Sequence, residues 1–477
     1  MALKDKRKMI IDRQKSLETY FNYNHTLLNI FRGGLLPEVE KILRESLTEQ
    51  YFNSIKHRIL PLNVLPRYIS KLAKAYATSP QRVCENESEQ EFVDYYTRVL
   101  CLNKRGMSAD NYANLFKGFA WDPYISKEGV PKLRTLPFDR FFVISEDQED
   151  PNKMDIFVKM LGKREVIGSM GKKESKEVFY SYDNFEFDAF DQDGNTYFPA
   201  LAENEGINPY GVIPQVYGNR GDDELIPAQD TDLLQFTTVI PVMFSDIAGA
   251  AMFQCTSLMY GIDVNAENLV MSPNAFWSLK SDQQSDKKPE IGVIKPEVDI
   301  DKFVGLIINS FVFWLETKGI RVNGVGSMNA SEVASGISKI IDEMDTYELR
   351  KQNVKNLEED EQALWKNLAK LHNYWIKSGM LADKKAPGLV NPEINVTVIF
   401  DEPRPFKTRE QTLLEIESEM KLGIIGRLDA AKKLYPDSSE EEIMEMLARA
   451  DEVIQDNSAQ PDMQNNDVID EQDPTVQ

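Results

Sequence analysis

The chain has 477 residues, of which 42% are hydrophobic and 28% are charged, a composition typical of a soluble folded protein with a large core. Its formal net charge of −22 argues against a protein that grips nucleic acid over its whole surface, because such proteins carry a basic face; only local basic clusters are left for such contacts. Three cysteines without CxxC spacing indicate a reducing cytoplasm rather than a disulfide framework.

The first part of the chain is predicted to be helical from residue 8 to about 80. A first helix ends at Gly33-Gly34, a second spans 37–59 and a third spans 66–80. Residues 107–119 predict one more helix. Residues 1–16 are basic without an apolar core, so no signal peptide is expected.

The middle of the chain changes to the two-residue period of strands. An Asp193-Gly194 pair marks a hairpin turn before a short strand at 196–198. These segments predict an antiparallel sheet with long turns. The other predicted strands are 133–136, 141–144, 156–160, 178–182 and 184–190.

A helix is predicted from 230 to about 258, and Pro241 is expected to kink or split it. Residues 262–299 predict short strands and turns. Asp299 is a predicted N-cap for a helix over 300–318, which Gly319 ends. Its apolar stretch, 303–315, is too short to cross a bilayer, and no membrane segment is expected.

The strongest pattern in the chain is an apolar period of three and four residues over 331–378, without proline. It predicts a helix roughly 70 Å long; a coiled coil is the simpler alternative, although its heptads are not sustained. A glycine-rich loop, 321–329, precedes it. A strand at 395–400 and a helix at 408–420, which Lys421-Leu422-Gly423 ends, are predicted to follow. Two short helices around Pro436 and a disordered acidic tail at 455–477 complete the prediction.

Motifs that bind phosphate, calcium or dinucleotides are incomplete. The segment 168–173 lacks the Ser or Thr of a phosphate-binding loop, and Asp193-Gly194 lacks the first and last calcium ligands. Gly324-Val325-Gly326 follows a helix, where a dinucleotide fingerprint needs a strand. We interpret the three segments as a surface turn, a hairpin turn and a flexible loop.

Titratable residues show no catalytic spacing. The histidines (His25, His57 and His372) are interpreted as helix-face residues, although a Cys–His nucleophile pair stays open. The acidic run 358–361 is interpreted as a solvated helix face. Trp314, Trp365 and Trp375 are interpreted as core or interface anchors. No catalytic residue, metal ligand or cofactor site is predicted, so the protein is expected not to be an enzyme.

Five segments in this order resemble the portal proteins of tailed bacteriophages. They are LPLNVLPRYISKLAKAYATSPQRV (60–83), the segment 115–147 beginning LFKGFAWDPY, the segment 210–251 beginning YGVIPQVYGN, the unit of helix 300–318, loop 321–329 and long helix, and the segment 408–447 beginning TREQTLLEIE. In this chain the part that corresponds to the family's wing domain is short, and the part that corresponds to its clip domain is compact. Pro241 is unusual inside the helix that corresponds to the family's stem.

The resemblance implies an α+β, mainly helical subunit that assembles into a ring. It divides the chain into an N-terminal helical part of the wing (1–110), an α/β wing region (111–226), a first stem helix (227–261), a clip (262–299), a second stem helix (300–320), a tunnel loop (321–330), a long tunnel helix with a wing strand (331–405), a C-terminal helical crown (406–454) and the acidic tail (455–477).

The resemblance also implies a role in the virion after synthesis in the host cytoplasm. A ring of usually twelve subunits at one capsid vertex conducts double-stranded DNA during packaging and ejection. Its partners are the major capsid protein, the terminase large subunit, which hydrolyses ATP, and a head–tail adaptor; no cofactor is implied.

Two sets of site residues follow from the resemblance. Phe276 and Trp277 are expected to be apolar anchors for a partner or for a neighbouring subunit, together with Asn274. The tunnel loop either touches the duplex or only connects two helices. Its expected DNA-channel residues are Arg321, Asn323, Gly324, Val325, Gly326, Ser327, Met328 and Asn329.

Three other functions stay open from the sequence. The first is another virion protein, such as a capsid or tail-adaptor subunit. The second is a metal-dependent enzyme on nucleic acid, built on scattered carboxylates. The third is a cytoplasmic scaffold of cellular origin.

Overall fold

The structure is a computed structural model that describes residues 3–147, 149–167, 173–197, 206–220, 224–256, 258–262, 290–294, 299–320, 336–400, 409–435 and 442–449. Helices predominate and small antiparallel sheets accompany them, which confirms the α+β class. The chain divides into two compact units, Met1–Glu402 and Pro403–Gln477.

The N-terminal region contains more and shorter helices than its sequence pattern predicts. The predicted end at Gly33-Gly34 is confirmed, since Gly33 has φ +102°. The predicted helix over 37–59 is wrong: the backbone is extended at Leu47 and Thr48, which divides it. The helices are α1 (Leu3–Ser16), α2 (Glu18–Phe31), α3 (Leu35–Ser46), α4 (Glu49–Ile55) and α5 (Leu65–Leu72).

Two further helices complete this region. The helix α6 (Glu87–Val99) was not predicted, and α7 (Leu102–Phe116) begins five residues earlier than its prediction. Cys101, with φ 51°, lies in the left-handed region between α6 and α7, and Lys117, with φ 57°, ends α7. The predicted third helix, 66–80, is shorter in the structure, because α5 ends at Leu72 and only a 3₁₀ turn follows at Ala75–Ala77.

The strands form three antiparallel sheets in the first two-thirds of the chain and one pair with a later strand. The strands are β1 (Gln81–Val83), β2 (Gly118–Ile125), β3 (Pro131–Pro137), β4 (Phe141–Ile144), β5 (Ile156–Ile167), β6 (Lys173–Tyr182), β7 (Phe187–Asp191), β8 (Val216–Asn219), β9 (Leu258–Ile262), β10 (Glu290–Ile294) and β11 (Thr397–Ile399). Their orders are β3-β2-β8, β4-β5-β6-β7, β9-β10 and β1-β11.

Most of the predicted strands are confirmed, and the two-residue pattern did not predict β2 or β8. The turn at Asp193-Gly194 is confirmed by φ +81° at Gly194 and by the Asp191 carboxylate, which accepts from the backbone N–H of Asp193 at 3.0 Å. Of the strand predicted after it, the structure describes Thr196 and Tyr197: Thr196 forms an antiparallel bridge with Phe190, and the backbone N–H of Tyr197 donates to the carbonyl of Ala189 at 2.8 Å, so the predicted hairpin pairing is confirmed there.

Three long helices follow the sheets: α8 (Thr231–Thr256), α9 (Ile300–Thr317) and α10 (Gly336–Lys377). The helix α8 continues through Pro241 and is not split. The predicted cap is confirmed, because the Asp299 carboxylate accepts from the backbone N–H of Lys302 at 3.2 Å. The predicted long helix is confirmed over 42 residues, about 63 Å.

The main core of the first unit lies between α10, α6 and the β2 sheet. Trp365 of α10 and Trp121 of β2 are fully buried in it, and the Phe92 ring of α6 lies 6.1 Å from the Trp365 ring. The predicted role of the tryptophans as core anchors is confirmed for Trp314, Trp365 and Trp375. A second core joins α2, α3 and α5 to β4 and to α9.

The second unit contains α11 (Arg409–Lys421), α12 (Arg427–Leu434) and a helix at 442–449. Gly423, with φ +71°, follows α11 and confirms the predicted stop. These short helices agree with the helices predicted on both sides of Pro436.

Candidate functional site

The residues that the resemblance assigns to the DNA channel and to partner contacts lie outside the described residues. This holds for the loop residues 321–329 and for Asn274, Phe276 and Trp277. The structure describes the elements that flank them, namely α9 and α10 around the loop, and β9 and β10 around the clip segment. Those flanking elements are the described part of the site.

The helices α8 and α9 run side by side in opposite directions. Lys318, just after α9, donates from Nζ to both carboxylate oxygens of Asp230, just before α8, at 2.8 Å each. The other end of α8 leads into β9, and the other end of α9 follows β10, and these two strands pair antiparallel. Two antiparallel helices thus lead into one β-module.

Aromatic packing holds this helix pair against the N-terminal helices. The Trp314 ring of α9 stacks on Phe236 of α8, with centroids 5.0 Å apart and planes at 19°. Phe311 lies 5.9 Å from Trp314 on α9, and Tyr68 of α5 lies 5.0 Å away. Large rings in close offset contact stabilise an arrangement beyond their buried area, so this end of the pair is anchored.

One face of α9 is apolar and exposed. Phe303, Leu306 and Phe313 are 49%, 55% and 68% exposed, and their spacing of three and seven residues places them on one side of the helix. Ile307 and Trp314 lie beside Phe303 on the helix and are buried, so the buried part of α9 begins next to Phe303. Large apolar side chains exposed together on one side of a helix, here with the exposed Lys302 and Ser310 beside them, are typical of a contact with another macromolecule.

The helix α8 is apolar around most of its circumference. In the part of the chain that the structure describes, Thr231–Ala251 is the one stretch long and apolar enough to cross a membrane by length and composition. Only 39% of that stretch is buried inside the protein. Core helices of soluble proteins meet the same criterion, so the finding is weak evidence for a membrane.

The histidines are confirmed as residues of helices, and their contacts are structural. His372 of α10 is buried; its Nε2 donates to the carbonyl of Gly388 at 3.0 Å, and its Nδ1 accepts from the Tyr96 hydroxyl at 3.0 Å. Burial lowers the pKa of His372. His25 contacts the buried Asp139 carboxylate at 3.1 Å from Nδ1, and His57 is exposed on a 3₁₀ turn.

Few side chains in the described ranges are arranged as metal ligands or as an activated nucleophile. There, three or more His, Cys, Asp or Glu side chains nowhere converge as metal ligands would. Burial raises the pKa of the Cys84 thiol to about 11, so it is protonated at neutral pH and a poor nucleophile. Two surface depressions, of about 300 and 650 Å³, are lined mainly by charged side chains of α3 and α6.

The prediction that the run 358–361 forms a solvated face is wrong for Glu361, which is fully buried. Arg82 of β1 binds it with two hydrogen bonds of 2.8 Å, from Nε and Nη2, and the Tyr76 hydroxyl donates to it as well. A buried carboxylate is stable only with such partners. Sequence reasoning missed this site because Arg82 lies 279 residues from Glu361, and no local pattern reports that distance.

Comparison with known proteins adds no relative. The sequence matches no protein-family model and no curated protein. The antiparallel helix pair, its β-module and the long helix therefore carry the functional argument.

Proposed function

We propose that the protein is a portal subunit of a tailed bacteriophage, which forms a ring at one capsid vertex through which double-stranded DNA passes. One observation carries the proposal: two antiparallel helices, α8 and α9, lead into a β-module at one end, and the 42-residue helix α10 follows. This order corresponds to the stem, clip and tunnel helix that the resemblance implies.

The surface of the helix pair supports assembly into a ring. The exposed apolar side chains of α9 favour a partner, and in a ring the neighbouring subunit supplies it. Such a contact is heterologous, since one face of a subunit meets a different face of the next. When the rotation from one subunit to the next closes the ring, the apolar face of every copy is covered in the same way.

The charge of the chain supports a channel through which DNA slides. Each phosphate that a protein neutralises releases counterions and strengthens binding, so a strongly basic lumen would hold the duplex. A subunit of net charge −22, repeated around a ring, repels the duplex instead. Local contacts are assigned to the tunnel-loop residues, with Gly324 and Gly326 allowing movement.

The proposal includes the partners of a portal vertex. The terminase large subunit binds during packaging and hydrolyses ATP, a head–tail adaptor replaces it, and the major capsid protein surrounds the ring. The clip residues Asn274, Phe276 and Trp277 are the proposed contacts with these partners or between subunits. The portal itself needs no cofactor and catalyses no reaction.

Negative-stain electron microscopy of the purified full-length protein tests the proposal. We expect class averages along the symmetry axis to show rings of near-twelvefold symmetry, with a central hole about as wide as a DNA duplex. A monodisperse monomer or dimer at high protein concentration would contradict it. A search for metal-dependent activity on nucleic acid would then follow.

A further inference from the structure

The hairpin of β5 and β6 extends beyond the sheet that contains it. The strand β4 pairs only with residues 156–159 of β5, and β7 pairs only with residues 178–182 of β6. Past a bulge between Met160 and Lys163, residues 163–167 pair with 173–177 and with no other strand in the described chain. These two segments, which we name the β5–β6 arm, are about 17 Å long.

The arm carries cationic side chains on an acidic protein. Its two segments, 163–167 and 173–177, contain four Lys or Arg and three Glu residues, hence a net charge of +1 in a chain of −22. Lys163 and Arg164 are exposed, and neither forms a salt bridge with a residue that the structure describes. Lys176, by contrast, is bound by Glu174 at 3.0 Å and Asp193 at 2.8 Å.

A two-stranded ribbon alone is marginally stable in water, so a projecting arm gains from a partner. Lysine and arginine on a strand edge oppose pairing with further strands, because each new strand would bury their charges. The partner that fits the arm is therefore an acidic surface rather than another β-strand.

The opposite end of the same sheet provides such a surface. The loop between β4 and β5, residues 145–155, has five acidic residues and one lysine, hence a net charge of −4. We name it the acidic loop. Its exposed carboxylates are Glu146, Asp147, Glu149 and Asp150.

The acidic loop is held in shape from inside. The Asp155 carboxylate accepts from the backbone N–H groups of Glu146 and Asp147, at 2.8 and 3.2 Å. The Ser145 hydroxyl donates to the carbonyl of Asp150 at 3.1 Å. The Asp147 carboxylate also accepts from the backbone N–H of Glu149 at 2.9 Å, whereas Glu146, Glu149 and Asp150 are exposed and keep their charges at the surface of the loop.

The arm and the acidic loop of one subunit cannot meet, because residues 156–162 of β5 separate their nearest ends by about 23 Å. Two copies arranged head to tail can bring them together. We propose that the β5–β6 arm of one subunit docks on the acidic loop of a second copy of this chain. The inference rests on the proposed ring and names one of its contacts.

Charge reversal on the arm tests the contact. The variant Lys163→Glu/Arg164→Glu is compared with Lys127→Glu/Lys132→Glu, which makes the same change of charge at exposed lysines of the β2–β3 hairpin. Sedimentation velocity at low salt gives the subunit concentration for half-assembly. We expect an increase of about tenfold or more for the arm variant and little change for the control.

Mixing two variants identifies the partner of the arm. Glu146→Lys/Glu149→Lys reverses the loop and is expected to weaken assembly as the arm variant does. In an equimolar mixture each reversed arm meets a reversed loop, and each native arm meets a native loop, so assembly is expected to return. Raising the salt concentration is expected to reduce the difference between wild type and variants.

The outcomes separate this contact from the ring itself. Wild-type rings with unchanged assembly of the arm variant would overturn the contact and leave the portal proposal standing. Absence of wild-type rings would count against the portal proposal. Loss of DNA binding by the arm variant with normal assembly would also overturn the contact, since it would show that the cations bind phosphate instead.

Discussion

At the scale of residues, the acidic segment of α10 holds two carboxyls in different surroundings. Glu361 is paired with Arg82. Asp360 faces β8, and its Oδ2 lies so close to Gly218 that a Cβ added there would be only 2.5 Å from it. Arg220 approaches from the end of β8 and is itself bound to Asp110 at 3.1 Å. Burial raises the pKa of Asp360 to about 8, with Arg220 opposing the rise.

This pKa predicts how stability depends on pH. The unfolded chain releases the Asp360 proton near the ordinary pKa of 3.8, and the folded chain keeps it up to about 8. The folded state therefore binds more protons between these values, and stability falls as pH rises through this window. We expect Asp360→Asn to lessen this fall, measured by urea unfolding at pH 5.5, 7 and 9.

The control for this prediction is Glu91→Gln, a change at an exposed position of α6. It removes one carboxyl in a place where water solvates the charge, so its pH profile should resemble that of the wild type. Parallel profiles of Asp360→Asn and wild type across the window would show that Asp360 is ionised in the folded protein.

At the scale of elements, glycine has opposite roles in α7 and α9. In α7, a Cβ at Gly106 would lie 2.3 Å from the Tyr76 ring, which packs directly on the helix backbone there. In α9, a Cβ at Gly305 would meet nothing within 4 Å. The first glycine permits a close contact between elements, and the second only weakens its helix.

Substitution by alanine should separate these roles. We expect Gly106→Ala to destabilise the protein by about 1–3 kcal/mol, because Tyr76 is buried and cannot move away freely. Gly305→Ala should be neutral or stabilise by up to about 1 kcal/mol, because alanine favours the helix. Denaturant unfolding of both variants measures the difference, and equal effects would contradict the packing argument.

At the scale of the whole molecule, apolar surface that one chain leaves uncovered is the main argument for assembly. Phe313 is 68% exposed on α9, and Phe185 is 80% exposed in the turn before β7. Only the first belongs to a continuous apolar helix face, with Phe303 and Leu306 on the same side. Single exposed aromatics are common on soluble proteins, whereas such a face is not.

We expect Phe313→Asp to abolish ring formation or to raise the concentration for half-assembly at least about tenfold, since a buried charge at an interface is strongly unfavourable. Phe185→Asp, which removes an equally large exposed ring away from α9, should assemble as the wild type does. Sedimentation velocity and electron microscopy measure both variants. Normal rings of Phe313→Asp would show that the α9 face does not contact a neighbour.

The sequence by itself determined the features that depend on neighbouring residues. The cap at Asp299, the ends at Gly33 and Gly423 and the uninterrupted period of α10 are local, and the structure confirms them. The helix α6 has the same apolar spacing, with Phe92 and Tyr96 four residues apart, but it was not predicted. The assigned loop and clip residues lie outside the described residues, so those assignments stay predictions.

Only the tertiary structure decided which side chains are buried and which strands pair. Glu361 belongs to an acidic run that is typical of a solvated helix face, yet it is buried, and its partner Arg82 is 279 residues away in the sequence. The short strand β8 forms because β2 lies beside it, nearly a hundred residues back. The β5–β6 arm and the acidic loop lie at opposite ends of one sheet because β5 pairs with both β4 and β6. Such contacts depend on how segments that are far apart in the sequence pack together, and the pattern of neighbouring residues does not specify that packing.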